Sequence, residues 1–79
     1  MTKGKITAII SNLISIEVDG PVSQNEICYV LCGGDTRLMA EVIKISGNSA
    51  SAQVFESTRG VKLGDAVEFT GSMLEIELG

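Results

Sequence analysis

Apolar and polar residues alternate with a period of two along nearly the whole chain, and that periodicity constrains the fold more than any other feature. Ile14, Ile16 and Val18 alternate with Ser15, Glu17 and Asp19. Such spacing puts one set of side chains on each face of an extended strand. No stretch carries an i, i+3, i+4, i+7 apolar stripe over three turns, so no substantial helix is expected. Ile and Val dominate the apolar residues, and β-branched side chains suit a pleated, half-buried surface.

The turn signals divide this pattern into short strands. Lys5 to Ser11 opens the first, and Ile14 to Val18 carries the alternation to a turn at Asp19-Gly20-Pro21. Ile27 to Cys32 is apolar on both faces, as in a strand covered on both sides. Gly33 to Arg37 reads as a hairpin loop leading into the longest strand, Leu38 to Ser46. Gly47-Asn48 is a two-residue hairpin turn, and Ala50 to Phe55 returns antiparallel. Ala66 to Thr70 follows, and Leu74, Ile76 and Leu78 then alternate with Glu75 and Glu77. About six short strands with glycine-rich turns imply a sandwich or a barrel. A flat sheet would leave one face wet, so the expected fold is all-β: a small six-stranded antiparallel closed β-barrel, forming one domain over residues 1–79.

The densest cluster of charge and glycine is FESTRGVKLGDAVEFTG, from Phe55 to Gly71. Gly64 is free to take a positive φ, and Asp65 is placed to hydrogen-bond its own backbone two residues on. Ser57 and Thr58 are placed to cap freed backbone N–H groups beside Glu56 and Gly60. The expected turn and corner positions are thus Gly20, Gly47, Asn48, Glu56, Thr58, Gly60, Gly64, Asp65 and Gly71.

Chemical readings of the same residues are weaker. Glu56 and Asp65 as paired acid and base would need a pocket, and a barrel of six short strands is filled by side chains. A phosphate cradle at Gly33–Arg37 lacks both the G-x-x-x-x-G-K-[ST] pattern and a following helix. The sequence has no histidine, which excludes Ser or Cys triads and leaves Cys28 and Cys32 without partners for a tetrahedral metal site. On a strand the two thiols face the same side roughly 13 Å apart, too far for a disulfide. They read as small apolar groups in a reducing compartment. No catalytic, cofactor-binding or metal-ligating residue is assigned.

The net charge is −4, lysines and arginines are scattered singly, and aromatics make up 4% of the residues. Nucleic acid and anionic membrane surfaces are therefore poor partners. No apolar run approaches the roughly 20 residues needed to cross a bilayer, and Ser11-Asn12 cuts short the run after Lys3 and Lys5. A cytoplasmic chain without a targeting signal is the expectation.

Several segments match a known family. Gly4–Ile6, Asn12–Leu13, Gly20–Val22, Asn25–Val30, Glu41–Ile43, Gln53–Gly60, Gly64–Val67 and Phe69–Gly71 closely resemble the start of the catalytic A subunit of V-type (A-type) rotary ATPases. The segment Gln53–Gly60 is shared in looser form with the B subunit, whereas the Glu75–Gly79 end is similar to A. Family members are several times longer, so the chain resembles an excised N-terminal domain. The resemblance implies a six-stranded barrel in a collar at one end of the alternating A/B ring, away from the membrane. Its partners would be B subunits, within a complex that couples ATP hydrolysis or synthesis to proton or sodium transport. The family's Mg-ATP site lies downstream of the residues present here. Glu75 and Glu77 are the candidate neighbour-facing residues, and the isolated domain is expected to be monomeric. The alternative is a free-standing OB-like barrel that binds a ligand or oligonucleotide.

Overall fold

The computed structural model describes residues 2–33, 36–56 and 58–73. Among them are six strands: β1 (Lys3–Ile10), β2 (Leu13–Val18), β3 (Glu26–Leu31), β4 (Arg37–Ser46), β5 (Ser49–Val54) and β6 (Ala66–Met73). Every neighbouring pair is antiparallel, and the order β1-β2-β5-β4-β3-β6 closes on itself as a barrel. The all-β six-stranded barrel expected from the alternation is the observed fold. Strands β3, β4 and β5 follow one another through hairpins, and β6 returns to lie beside β3, which is a Greek key. The β1–β2 hairpin fills the gap between β5 and β6 and removes both sheet edges.

Alternation decides what lies inside. Ile6, Ile14, Ile16, Cys28, Val30, Val42, Val54, Val67 and Phe69 are almost fully buried. Large and small residues share each layer of the interior. The single buried ring, Phe69, pairs with Cys28, which pairs with Ala40, and Ala40 pairs with Val54. Ile14 lies opposite Ala52, and Ile16 opposite Ala50. Small side chains on β4 and β5 make room for bulkier ones across a narrow interior. Strand β3 is covered less evenly than its apolar sequence suggests, for Ile27 is buried while Tyr29 and Leu31 are half-buried. The Arg37 guanidinium lies 5.0 Å from the centre of the Tyr29 ring, diagonally across the β3–β4 pair.

Two differences from the sequence reading concern strand ends. Strand β1 begins at Lys3 rather than Lys5, held by hydrogen bonds that Lys3 exchanges with Asp19. Strand β6 continues through Gly71 to Met73 instead of stopping at Thr70. The stretch Leu74 to Leu78 falls outside the described residues.

Among the described glycines, Gly4 is the one where an added Cβ would meet the closest contacts. A Cβ there would sit 2.6 Å from Ile16 Cγ2 and 2.7 Å from the Glu17 carbonyl oxygen. The Ile16 side chain fills the volume that a β1 side chain would need.

Candidate functional site

The chemically dense stretch is the long connection of the Greek key, running from Phe55 to Asp65 across the flank of the β1–β2 hairpin. Two consecutive turns shape its second half. The Val61 N–H donates to the Thr58 carbonyl (2.9 Å), and the Asp65 N–H donates to the Lys62 carbonyl (3.1 Å). Each turn has glycine in its third position, Gly60 with φ 94° and Gly64 with φ 89°. A positive φ at that position defines a type II turn, where glycine pays no steric penalty. Val61, between the turns, packs against the core.

The connection is stitched to the hairpin it crosses. Asn12 and Ser11 form the β1–β2 turn, with Ser11 at φ 55°. The Asn12 side-chain amide donates to the carbonyls of Val54 (3.1 Å) and Glu56 (2.9 Å). The Thr58 hydroxyl donates to the Ser11 carbonyl at 2.7 Å. Farther along, the Gly64 N–H donates to the Ile6 carbonyl and the Ile6 N–H to the Asp65 carbonyl. These bonds extend the β1–β6 ladder beyond its last paired residues.

The partners are not all those expected. The Asp65 carboxylate accepts from the Lys62 N–H at 2.8 Å, three residues back, rather than from its own backbone two residues on. The Thr58 hydroxyl serves a carbonyl, not an N–H group, and the fold uses the backbone carbonyl of Glu56. Gly47 carries φ 60° in the β4–β5 turn while Asn48 stays at negative φ, the pattern of a type II′ hairpin. Gly20 has no positive φ. It lies against Thr2, whose hydroxyl a Cβ would approach to 3.1 Å. Glu75 and Glu77 lie outside the described residues.

One structural residue escaped the sequence reading. Glu26 is 4% exposed and is the only charged residue buried among those described. Its carboxylate accepts the Ser23 N–H at 2.8 Å and the Gly71 N–H at 2.7 Å. Strand β6 advances from Phe69 to Met73 while β3 goes back only from Cys28 to Glu26, so β6 bulges there. Gly71, at φ 77°, lies in that bulge. Glu26 answers the bulged amide, and charge-assisted hydrogen bonds offset the cost of burying the carboxylate. The signal was present in the alternation, because Glu26 shares a strand face with Cys28 and Val30.

Burial, reinforced by the nearby Glu26 carboxylate, pushes the Cys28 thiol up to about 12, so it stays protonated and inert near neutrality. Cys32 is half-buried, packs against the core, and like Cys28 is free. Among the described residues no three His, Cys, Asp or Glu side chains are grouped to hold a metal ion. Among the described residues, open depressions of the surface include two of about 450 and 460 Å³. The first is lined by Thr2, Asp19, Gly20, Pro21 and Thr70 beside Glu26, whose oxygens already accept backbone bonds. A nucleotide finds neither a phosphate-loop sequence nor, among the described residues, a helix N-terminus. No described helix is long and apolar enough to cross a membrane.

Comparison with known proteins adds what the geometry leaves open. Residues 6–71 match the model of the ATP synthase alpha/beta family, beta-barrel domain. The chain is 53% identical over 78 residues to the V-type ATP synthase alpha chain of Borreliella afzelii (strain PKo), covering 99% of this chain and 13% of that protein. It is 51% identical over 78 residues to V-type ATP synthase alpha chain 1 of Treponema pallidum (strain Nichols) and to the alpha chain of Treponema denticola, with the same coverage in each case. The chain thus spans about 13% of the length of these relatives.

Proposed function

Because the chain belongs to the ATP synthase alpha/beta family through its β-barrel domain, we propose that it serves as the collar barrel of the catalytic A subunit of a V-type rotary ATPase. In this reading it stabilises the alternating A/B ring of a complex that couples ATP hydrolysis or synthesis to proton or sodium transport. Its partners are B subunits. Its place is on the cytoplasmic side, away from the membrane. Mg-ATP is handled by parts of the longer subunit that these residues do not include.

The observation that carries the proposal is the match to V-type ATP synthase alpha chains over 99% of this chain. The interior supports it, since Phe69, Ile6, Ile14 and Ile16 fill the space where a ligand-binding barrel would hold its ligand. That filling disfavours a barrel that carries a ligand in its interior.

The test is truncation. A full-length A subunit lacking these 79 residues, combined with B subunits, should form a ring that dissociates on dilution at markedly higher concentration than the complete one. An equally stable ring would overturn the collar role. The chain alone should show no micromolar affinity for Mg-ATP by calorimetry, and such binding would place nucleotide chemistry within the barrel.

A further inference from the structure

Most outward positions on the barrel follow the polar half of the alternation; Ile43 and Ile45 on β4 and Leu63 in the crossing are exposed apolar exceptions, and at one further place three such side chains come together. Lys5 and Thr7 on β1, Glu17 on β2 and Gln53 on β5 are polar and exposed. Around the tip of the β1–β2 hairpin this changes. Ile10 is 70% exposed, Leu13 42% and Phe55 46%. Ile10 lies directly opposite Leu13. Leu13 lies opposite Gln53, which puts Phe55, two residues on, at its diagonal. We propose that Ile10, Leu13 and Phe55 form the face by which this barrel contacts the barrel of a neighbouring ring subunit. The proposal rests on the collar reading above and adds the surface to it.

Two observations choose that occupant over others. The first is area. An apolar patch of three side chains is at most a few hundred Å², well below the roughly 800 Å² per partner of a stable pair. A free second copy of this chain would not be held. A neighbour already tethered at high effective concentration would be. The second is direction. Strand β6 is antiparallel to β1, and Lys3 pairs with Glu68, so Met73 lies at the end of the barrel opposite Ile10. Chain that follows β6 sets out from the far end, which disfavours the subunit's own later segments as the cover.

Cross-linking in the assembled ring of full-length subunits tests this face. A Leu13→Cys substitution in a Cys32→Ser background offers one reactive thiol in the barrel, since Cys28 is buried. A short thiol-to-amine cross-linker should join it to the barrel of the adjacent subunit. A link only to the same chain, a link to a second A subunit, or no link in an intact ring would each overturn the assignment. In parallel, Leu13→Lys should raise the concentration at which the ring dissociates about tenfold, and Ser51→Lys, on the polar exterior, should not. If truncating the barrel weakens the ring while Leu13→Lys does not, the face is wrong and the collar role survives. If truncation has no effect, both fall.

Discussion

Gly4 lies in the β1–β6 seam, paired with Val67, and Gly64 lies just past the end of that seam, its N–H donating to the Ile6 carbonyl, yet glycine is required at each for a different reason. At Gly4 the backbone is ordinary and space is missing, because Ile16 and the Glu17 carbonyl occupy the position of a side chain. At Gly64 space is open, with nothing within 4 Å of a Cβ, but φ is 89°. The ladder is governed by packing and the crossing by backbone angles. A packed ladder has no slack, so an added atom must displace its neighbours. A solvent-facing turn loses only the difference in backbone preference.

That contrast is sharpest where the clash involves backbone. Gly4→Ala should cost about 3 kcal/mol or more, because a carbonyl held in a strand pair cannot move as a side-chain tip can. Thermal unfolding would show it, and a melt within 1 °C of the parent would mean that the β1–β2 approach is looser than the structure has it.

A smaller but still large effect belongs to the buried carboxylate. Glu26→Gln keeps the shape but turns one of two acceptors into a donor facing a backbone N–H, at a cost of about 2 kcal/mol. Hydrogen exchange at Gly71 should accelerate along with the loss of stability. Unchanged protection there would break the link between Glu26 and the bulge.

The third test is pH. Cys28 stays protonated in the folded barrel up to about 12, against a usual value of 9.0. Between those values the unfolded chain has lost a proton that the folded chain keeps, so stability should fall as pH rises. The expected slope is about 1.4 kcal/mol per pH unit. Below pH 9 this contribution is constant. Denaturant midpoints compared between the parent and Cys28→Ala isolate it, since the variant should lack that part of the alkaline decline. Equal declines would show that the thiol is not desolvated.

The smallest effect is expected in the crossing. Gly64→Ala should cost roughly 1 kcal/mol, the price of placing a Cβ at positive φ. If it matched Gly4→Ala, the distinction between a spatial and a conformational glycine would collapse. The next measurement would then be the packing around Val61.

How much was legible before the structure follows the same division. The alternation in β2, β4 and β5 is local, and it survives in the barrel because each strand buries one face in a single core. Ile14, Ile16 and Val18 were readable as interior residues for that reason. The turn glycines at 60 and 64 were readable as corners, since x-x-Gly-x carries its own backbone requirement. Ser11-Asn12 was visible as a break in an apolar run, but its work in holding the crossing was not. Asn12 reaches Val54 and Glu56, more than 40 residues away in sequence. The pairing of Glu26 with Gly71 was hidden for the same reason, and so were the ends of β1 and β6.

The sequence by itself determined that this protein is a barrel of short strands with its apolar faces turned inward. A period of two needs only neighbouring residues to express it. Tertiary structure alone decided which strands distant in sequence lie side by side, why Gly4 tolerates no side chain, and that one carboxylate is held inside. Those depend on groups that meet only after the chain has closed, where the cost of an unpaired amide or an overlapping atom is set by whichever distant residue arrives beside it.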